Sequence, residues 1–170
     1  MKIAFAAALA AAVAMPDAFA QAVMNESSIS ADAALEIAAA ALAQCRKDGQ
    51  KVSVTVVDAA GRPKAMVRDD GAGPHTAEHS FRKAYTALSY KTPSAEYGKR
   101  AKDSGGAIGP QLLPNITTAA GGVPIRTAGA VVGAVGVSGT PGSDGGGEHD
   151  AKCAEAGLIK IAKDNTPAAR

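Results

Sequence analysis

His75 and His79 stand four residues apart in GAGPHTAEHSFRKAYT, a spacing that sets two imidazoles on one face of a helix. Two such rings can share a metal ion, or one can bind haem iron while the other hydrogen-bonds beside it. The string is not HExxH, because Glu78 directly precedes His79, and no third ligand follows at metal spacing. His149, the remaining histidine, is far along the chain on a glycine-rich loop. Catalytic zinc normally takes three protein ligands, so the pair alone argues weakly for zinc. The plainer alternative is a solvated helix face on which Glu78 and Arg82 pair at i, i+4.

Other chemistry-bearing strings carry less. The loop SGTPGSDGGGEHD opens a helix and offers backbone N–H groups to an anion, but it lacks the Lys and Ser/Thr of a phosphate-binding loop. A mobile linker is the alternative reading. Ser138 in GVSGT lacks the second glycine of a G-x-S-x-G nucleophile elbow, which argues against a hydrolase. Asp58, Asp69 and Asp70 flank a hairpin, where turn chemistry accounts for them.

The histidines need elements to place them. Val52, Val54 and Val56 alternate with Ser53, Thr55 and Val57, the period of a strand with one face in a core. Asp58 to Gly61 makes a turn and Pro63 to Arg68 the return strand. After Gly71 and Gly73 comes the histidine-bearing helix. At about 100° per residue, Ala77, Phe81, Ala84, Tyr85 and Leu88 share one side. His75, His79, Arg82 and Thr86 share the other, so both imidazoles are expected to look away from the core. Upstream, Ser30 caps a helix from Ala31 to Lys47 that Gly49 ends, with Leu35, Ala38, Leu42 and Cys45 inward. Downstream, Pro93 starts a short helix to about Lys102, capped by Thr92 or its neighbour, and Ser104 to Asn115 is irregular.

Strand patterns resume at Ile116: ITTAA, a turn at Gly121 and Gly122, VPIRT, a turn at Gly129, then AVVGAVGVSG. In the last, Val131, Gly133, Val135 and Val137 share one face; Ala130, Val132, Ala134, Gly136 and Ser138 share the other. Small residues there imply close approach of a helix or ligand. The loop 140–147 is read as flexible, and Glu148 to Lys163 closes the chain as a helix with Ala151, Ala154, Leu158 and Ile161 inward. Short-turned hairpins between helices predict an α+β sandwich, one five-stranded antiparallel sheet packed with helices.

The chain has 170 residues and a net charge of +2 with scattered basic residues, no Trp, three Tyr and three Phe. That balance sets nucleic-acid binding aside. Lys2, the apolar run Ile3–Met15 and the Ala18-Phe19-Ala20 end have the parts of a secretory signal peptide cleaved after Ala20. The run is shorter than the roughly 20 residues of a membrane span. The expected organisation is a signal peptide (1–20), a flexible leader (21–29), one domain (30–163) and a tail (164–170). The product is an exported chain with no membrane segment after cleavage, periplasmic or secreted. Cys45 and Cys153 fall in two different helices. In an oxidising compartment they either pair or serve as two small buried hydrophobes.

Taken together, VSVTVVDAAG, RDDGAGPHT, RKAYTALS, GGVPI, GAVGVSG and CAEAGLIKI resemble the GlcG/HbpS-like haem-binding family, in its exported branch. The resemblance runs from about Ser30 to Ile161. It implies a profilin-like sandwich with a five-stranded antiparallel sheet between helices, a homo-oligomer, and haem as cofactor and partner in iron handling or redox sensing. Axial ligands in the family differ, a histidine in one member and a threonine in another. Here the resemblance points to His75 as the haem-iron ligand, with Thr76 beside it and His79 and Arg82 for hydrogen bonding or a propionate charge pair. An acidic ExxE pair that one relative uses with iron is not reproduced, since the third residue after Glu78 is Phe81. Two other readings stay open: an enzyme of oxidative haem degradation or small hydroxy-acid metabolism, and a non-catalytic oligomeric accessory protein.

Overall fold

The structure is a computed structural model that describes residues 24–105, 112–142 and 147–164. The expected signal peptide (1–20), the first three residues of the leader (21–23) and the tail from 165 onward lie outside the described residues, as does 143–146 in the loop read as flexible. The elements in order are α1 (Ala31–Lys47), β1 (Ser53–Asp58), β2 (Pro63–Arg68), α2 (His75–Tyr90), α3 (Ser94–Asp103), β3 (Gly122–Thr127), β4 (Ala130–Ser138) and α4 (Glu148–Asp164). Helix α1 begins as expected, the Ser30 hydroxyl accepting from the Ala33 N–H at 3.2 Å. It ends at Asp48, and Gly49 follows at φ +75°, a backbone that glycine adopts without strain. At the end of the expected leader, Ile29 donates to the Val132 carbonyl and Ser28 accepts from Ala59, so this stretch lies against the sheet.

Among the described residues the sheet has four strands, in the order β2-β1-β4-β3, every neighbouring pair antiparallel. The fifth expected strand, ITTAA, does not form. Its backbone is satisfied elsewhere: Thr117 N–H donates to the Thr86 hydroxyl at 3.0 Å, and the Ala119 carbonyl accepts from Ser94 Oγ at 2.8 Å. Side chains of α2 and α3 thus take up groups that a ladder would have used. Ser94 also accepts from Gly122 N–H, while α3 itself starts without a side-chain cap, where one from Thr92 or its neighbour was expected.

Both faces of the sheet are covered. On one, α1 and α4 pack over Val52, Val54, Val56, Val135 and Val137. On the other, α2 lies over Ser53, Thr55, Val57, Ala134 and Gly136. A Cβ at Gly136 would overlap the Ser80 carbonyl, and one at Gly122 the Lys83 carbonyl. The small residues of β4 are therefore there for a helix. Hydroxyls seam this contact: Ser53 to Thr76 at 2.8 Å and Thr55 to Ser80 at 2.7 Å. Thr76 and Ser80 donate their own hydrogens to the Gly73 and Ala77 carbonyls, so the strand hydroxyls are the donors across the seam.

Two expected phases shift. The buried face of α2 is Thr76, Ser80, Lys83, Ala84, Thr86 and Ala87, a small and polar stripe, while Phe81, Tyr85 and Leu88 are only partly buried. An apolar count misplaces this face because the glycine floor admits small residues and hydroxyls in place of large hydrophobes. Leu35, expected inward on α1, is 59% exposed, with Ala34, Ile37 and Ala41 buried in its stead. Val132 joins the α1 side of the core because β4 bulges opposite Ile125 and Arg126.

Cys45 at the end of α1 and Cys153 near the start of α4 form a disulfide, with a Cα–Cα distance of 5.6 Å. Of the two readings of this pair, the bridge is the one realised. It fastens the two helices that cover the same sheet face.

Candidate functional site

Where β2 ends, Asp69 is buried and accepts two hydrogen bonds from Arg46, at 2.7 and 3.1 Å. Arg68 donates to the Ala72 carbonyl at 2.8 Å. These contacts fix the path of Gly71-Ala72-Gly73-Pro74 and so the first turn of α2, where His75 stands. The adjacent Arg46 holds the Asp69 carboxyl below the usual carboxylate range.

Helix α2, the end of β4 and the first turn of α4 enclose a cavity of about 380 Å³. His75 and His79 line it from α2 together with Lys83; Ser138, Gly139 and Thr140 line it from the end of β4, and Asp150 from α4. His75 is exposed at the mouth, its ring without a hydrogen bond to any described residue. His79 is deeper. Its Nδ1 lies 3.1 Å from Ser138 Oγ and its Nε2 3.4 Å from Thr117 Oγ1. Burial, and then the charge of Lys83, push the His79 ring below its ordinary value, so it is neutral at pH 7.

At the floor, Lys83 Nζ donates to Asp150 Oδ2 at 2.7 Å, with both side chains 3% exposed. The other oxygen of Asp150 accepts from Thr140 N–H at 3.1 Å. Burial lowers the Lys83 ammonium from its usual range, and Asp150 works against that shift. Thr140 Oγ1 is buried at the cavity wall without a partner among the described residues, a polar atom that a ligand would satisfy.

Of the four residues singled out in the sequence, the fold brings His75 and His79 together at one cavity. His79, however, is half-buried and tied to Ser138, where the helix phase had it facing outward with His75. Thr76 is 1% exposed under the helix, its hydroxyl engaged by Gly73 and Ser53. Arg82 lies on the outer face and pairs with Glu78, the plainer alternative for this face. His149 is in the first turn of α4, beyond the glycine-rich loop on which the sequence had placed it.

Lys83, Thr140 and Asp150 had no role in the sequence reading, and Ser138 was weighed only as a nucleophile. The available signal was a polar stripe, Thr76, Ser80 and Lys83, on the α2 face that meets the small residues of β4. The arrangement offers one open imidazole at the mouth, a second held by hydrogen bonds, and a paired charge with a free hydroxyl below. Such a cavity suits a ligand with a metal or planar group at the mouth and polar atoms inward.

A family model described as haem degrading protein HbpS-like matches residues 29–159. Protein GlcG of Escherichia coli (strain K12) is 33% identical over 110 residues, which are 65% of this chain and 81% of GlcG. The crystal structure of HbpS superposes with a TM-score of 0.75 at 36% identity, covering 82% of this chain and 94% of that one. PduOC, solved as a complex with haem, superposes with a TM-score of 0.69 at 23% identity over 78% of this chain and 94% of its own, a likeness of fold.

Proposed function

Since this chain belongs to the HbpS-like family of haem-degrading proteins, we propose that it binds haem at the α2 cavity, with His75 as the iron ligand. One observation carries the choice of ligand: at the cavity mouth His75 has an uncommitted ring, while both nitrogens of His79 face hydroxyls. A cavity of about 380 Å³ is at the small end of ligand sites, which run from about 300 to 1,000 Å³. The macrocycle would therefore enter by one edge and leave the other exposed. Thr140 Oγ1 would supply a donor to the inner edge with His79 and Ser138 bordering it, while Arg82, on the outer face, would have to leave Glu78 to meet a propionate.

Haem titration tests this. A Soret band should form at one haem per chain, and His75→Ala should abolish or shift it while His79→Ala leaves it in place. A band unaltered in both variants overturns the ligand assignment, and no band at all overturns the function.

The same reading makes the protein an exported homo-oligomer that serves iron handling or redox sensing. A disulfide between Cys45 and Cys153 supports an oxidising compartment such as the periplasm. No helix among the described residues is long and apolar enough to cross a membrane. Support for self-association is the edge position of β2 beside exposed Leu35 and Met66. Light scattering of the purified chain should return a multiple of the protomer mass; a monomer at micromolar concentration overturns that part.

The description of the matching family favours a second reading, oxidative breakdown of the bound haem. Haem would supply the iron chemistry with oxygen and a reductant, and the chain would hold and orient it. Incubating the complex with ascorbate and following iron release against free haem separates carrier from catalyst: faster release in the complex supports breakdown, and protection supports carriage.

A further inference from the structure

Away from the cavity, the helix ends that carry the disulfide also carry two further donors. Cys45 and Asp48 are three residues apart at the end of α1, and His149 and Cys153 four apart at the start of α4. His149 Nε2 lies 3.0 Å from Asp48 Oδ2. One donor atom from each of Asp48, His149 and Cys153 lies within 4.8 Å of the other two, and Cys45 is bonded to Cys153. We infer that the reduced chain binds one zinc-class divalent ion through Cys45, Cys153, His149 and Asp48, so that a metal and the disulfide are alternative fasteners of α1 to α4.

The geometry favours this set. Tetrahedral zinc with Zn–S of about 2.3 Å holds two sulfurs about 3.8 Å apart. Cα atoms 5.6 Å apart allow that separation with side-chain rotation alone. Two thiolates, an imidazole and a carboxylate are all acceptable zinc donors, and both pairs use spacings that put two ligands on one helix face. The sulfurs are buried, whereas the His149 and Asp48 side chains are 40% and 30% exposed, which leaves an entry on their side.

The reaction balances with a dithiol as reductant. Exchange breaks the S–S bond, the dithiol is oxidised to its own disulfide, and two protein thiols result. Metal binding then expels both thiol protons to solvent. In the oxidised chain neither sulfur is available as a thiolate, so the two states exclude each other.

The test uses the full chain reduced with a phosphine, which does not compete for metal as a dithiol would, and titrated with Co²⁺. One equivalent should bind with a sulfur-to-cobalt charge-transfer band that Zn²⁺ then bleaches. His149→Ala should weaken binding by about 100-fold, the upper end of the loss seen even for outer partners of a metal site. His75 and His79 cannot give a sulfur band, so binding at the cavity does not interfere. A reduced, folded chain with no such band overturns the proposal, as does equal affinity in His149→Ala and the parent. Should reduction unfold the chain, Zn²⁺ must restore its helical circular dichroism; no recovery overturns the proposal equally.

Discussion

At the scale of single residues, the cavity floor depends on a charge pair whose two side chains are almost wholly buried. Removing one partner strands the other, so Asp150→Asn or Lys83→Met should each lower unfolding free energy by about 3–5 kcal/mol in urea titrations. Lys83→Met combined with Asp150→Leu should cost less than the sum of the two singles, because no buried charge is then left unpaired. His79 gives a pH signature. Its folded value lies below the ordinary 6.5, so below pH 6.5 the unfolded chain takes up a proton that the folded chain refuses. Stability should therefore fall as pH drops from about 6.5 to the folded value and level off beneath it. His79→Gln should flatten that stretch of the stability–pH curve, and an unchanged slope would contradict the burial argument. Loss through Asp48 and Asp69, both held below their ordinary 3.8, belongs to a separate and more acidic window.

At the scale of elements, α2 sits where it does because β4 gives it room. Gly136→Ala would press a methyl into the Ser80 carbonyl, moving the helix that carries both histidines. A cost of about 1–3 kcal/mol or more is expected for such overpacking, read as a lowered melting temperature. Haem affinity should fall in the same variant, since His75 and His79 move with the helix. The sequence exposed much of this level. The bounds of α1, α4 and both hairpins follow from caps, turns and period, and the small residues of β4 announced a close neighbour. The inner face of α2 was not legible, because a stripe of Thr, Ser and Lys on a helix looks solvated until a strand with matching hydroxyls lies under it. ITTAA looked like a strand for the converse reason: Ile116, Thr117 and Thr118 are β formers, but Thr86 and Ser94 claim the backbone of this stretch from outside.

At the scale of the whole molecule, the disulfide closes a chain segment of 108 residues and ties the first helix to the last. Cys45→Ser combined with Cys153→Ser should lose about 2–5 kcal/mol of stability, seen as a lower urea midpoint, and reduction of the parent should approach the same value. Equal midpoints would mean that packing of α1 on α4 suffices. The amino-acid sequence by itself determined the family, the α+β class and the order of the helices and of the four strands that form, because these rest on local period, turn chemistry and recognisable strings. Only the tertiary structure decided that Cys45 meets Cys153, that Lys83 and Asp150 pair across 67 residues, and that Ser138 holds His79. Contacts between distant segments depend on how the helices lie on the sheet, and that placement is set by packing of faces that no single segment carries.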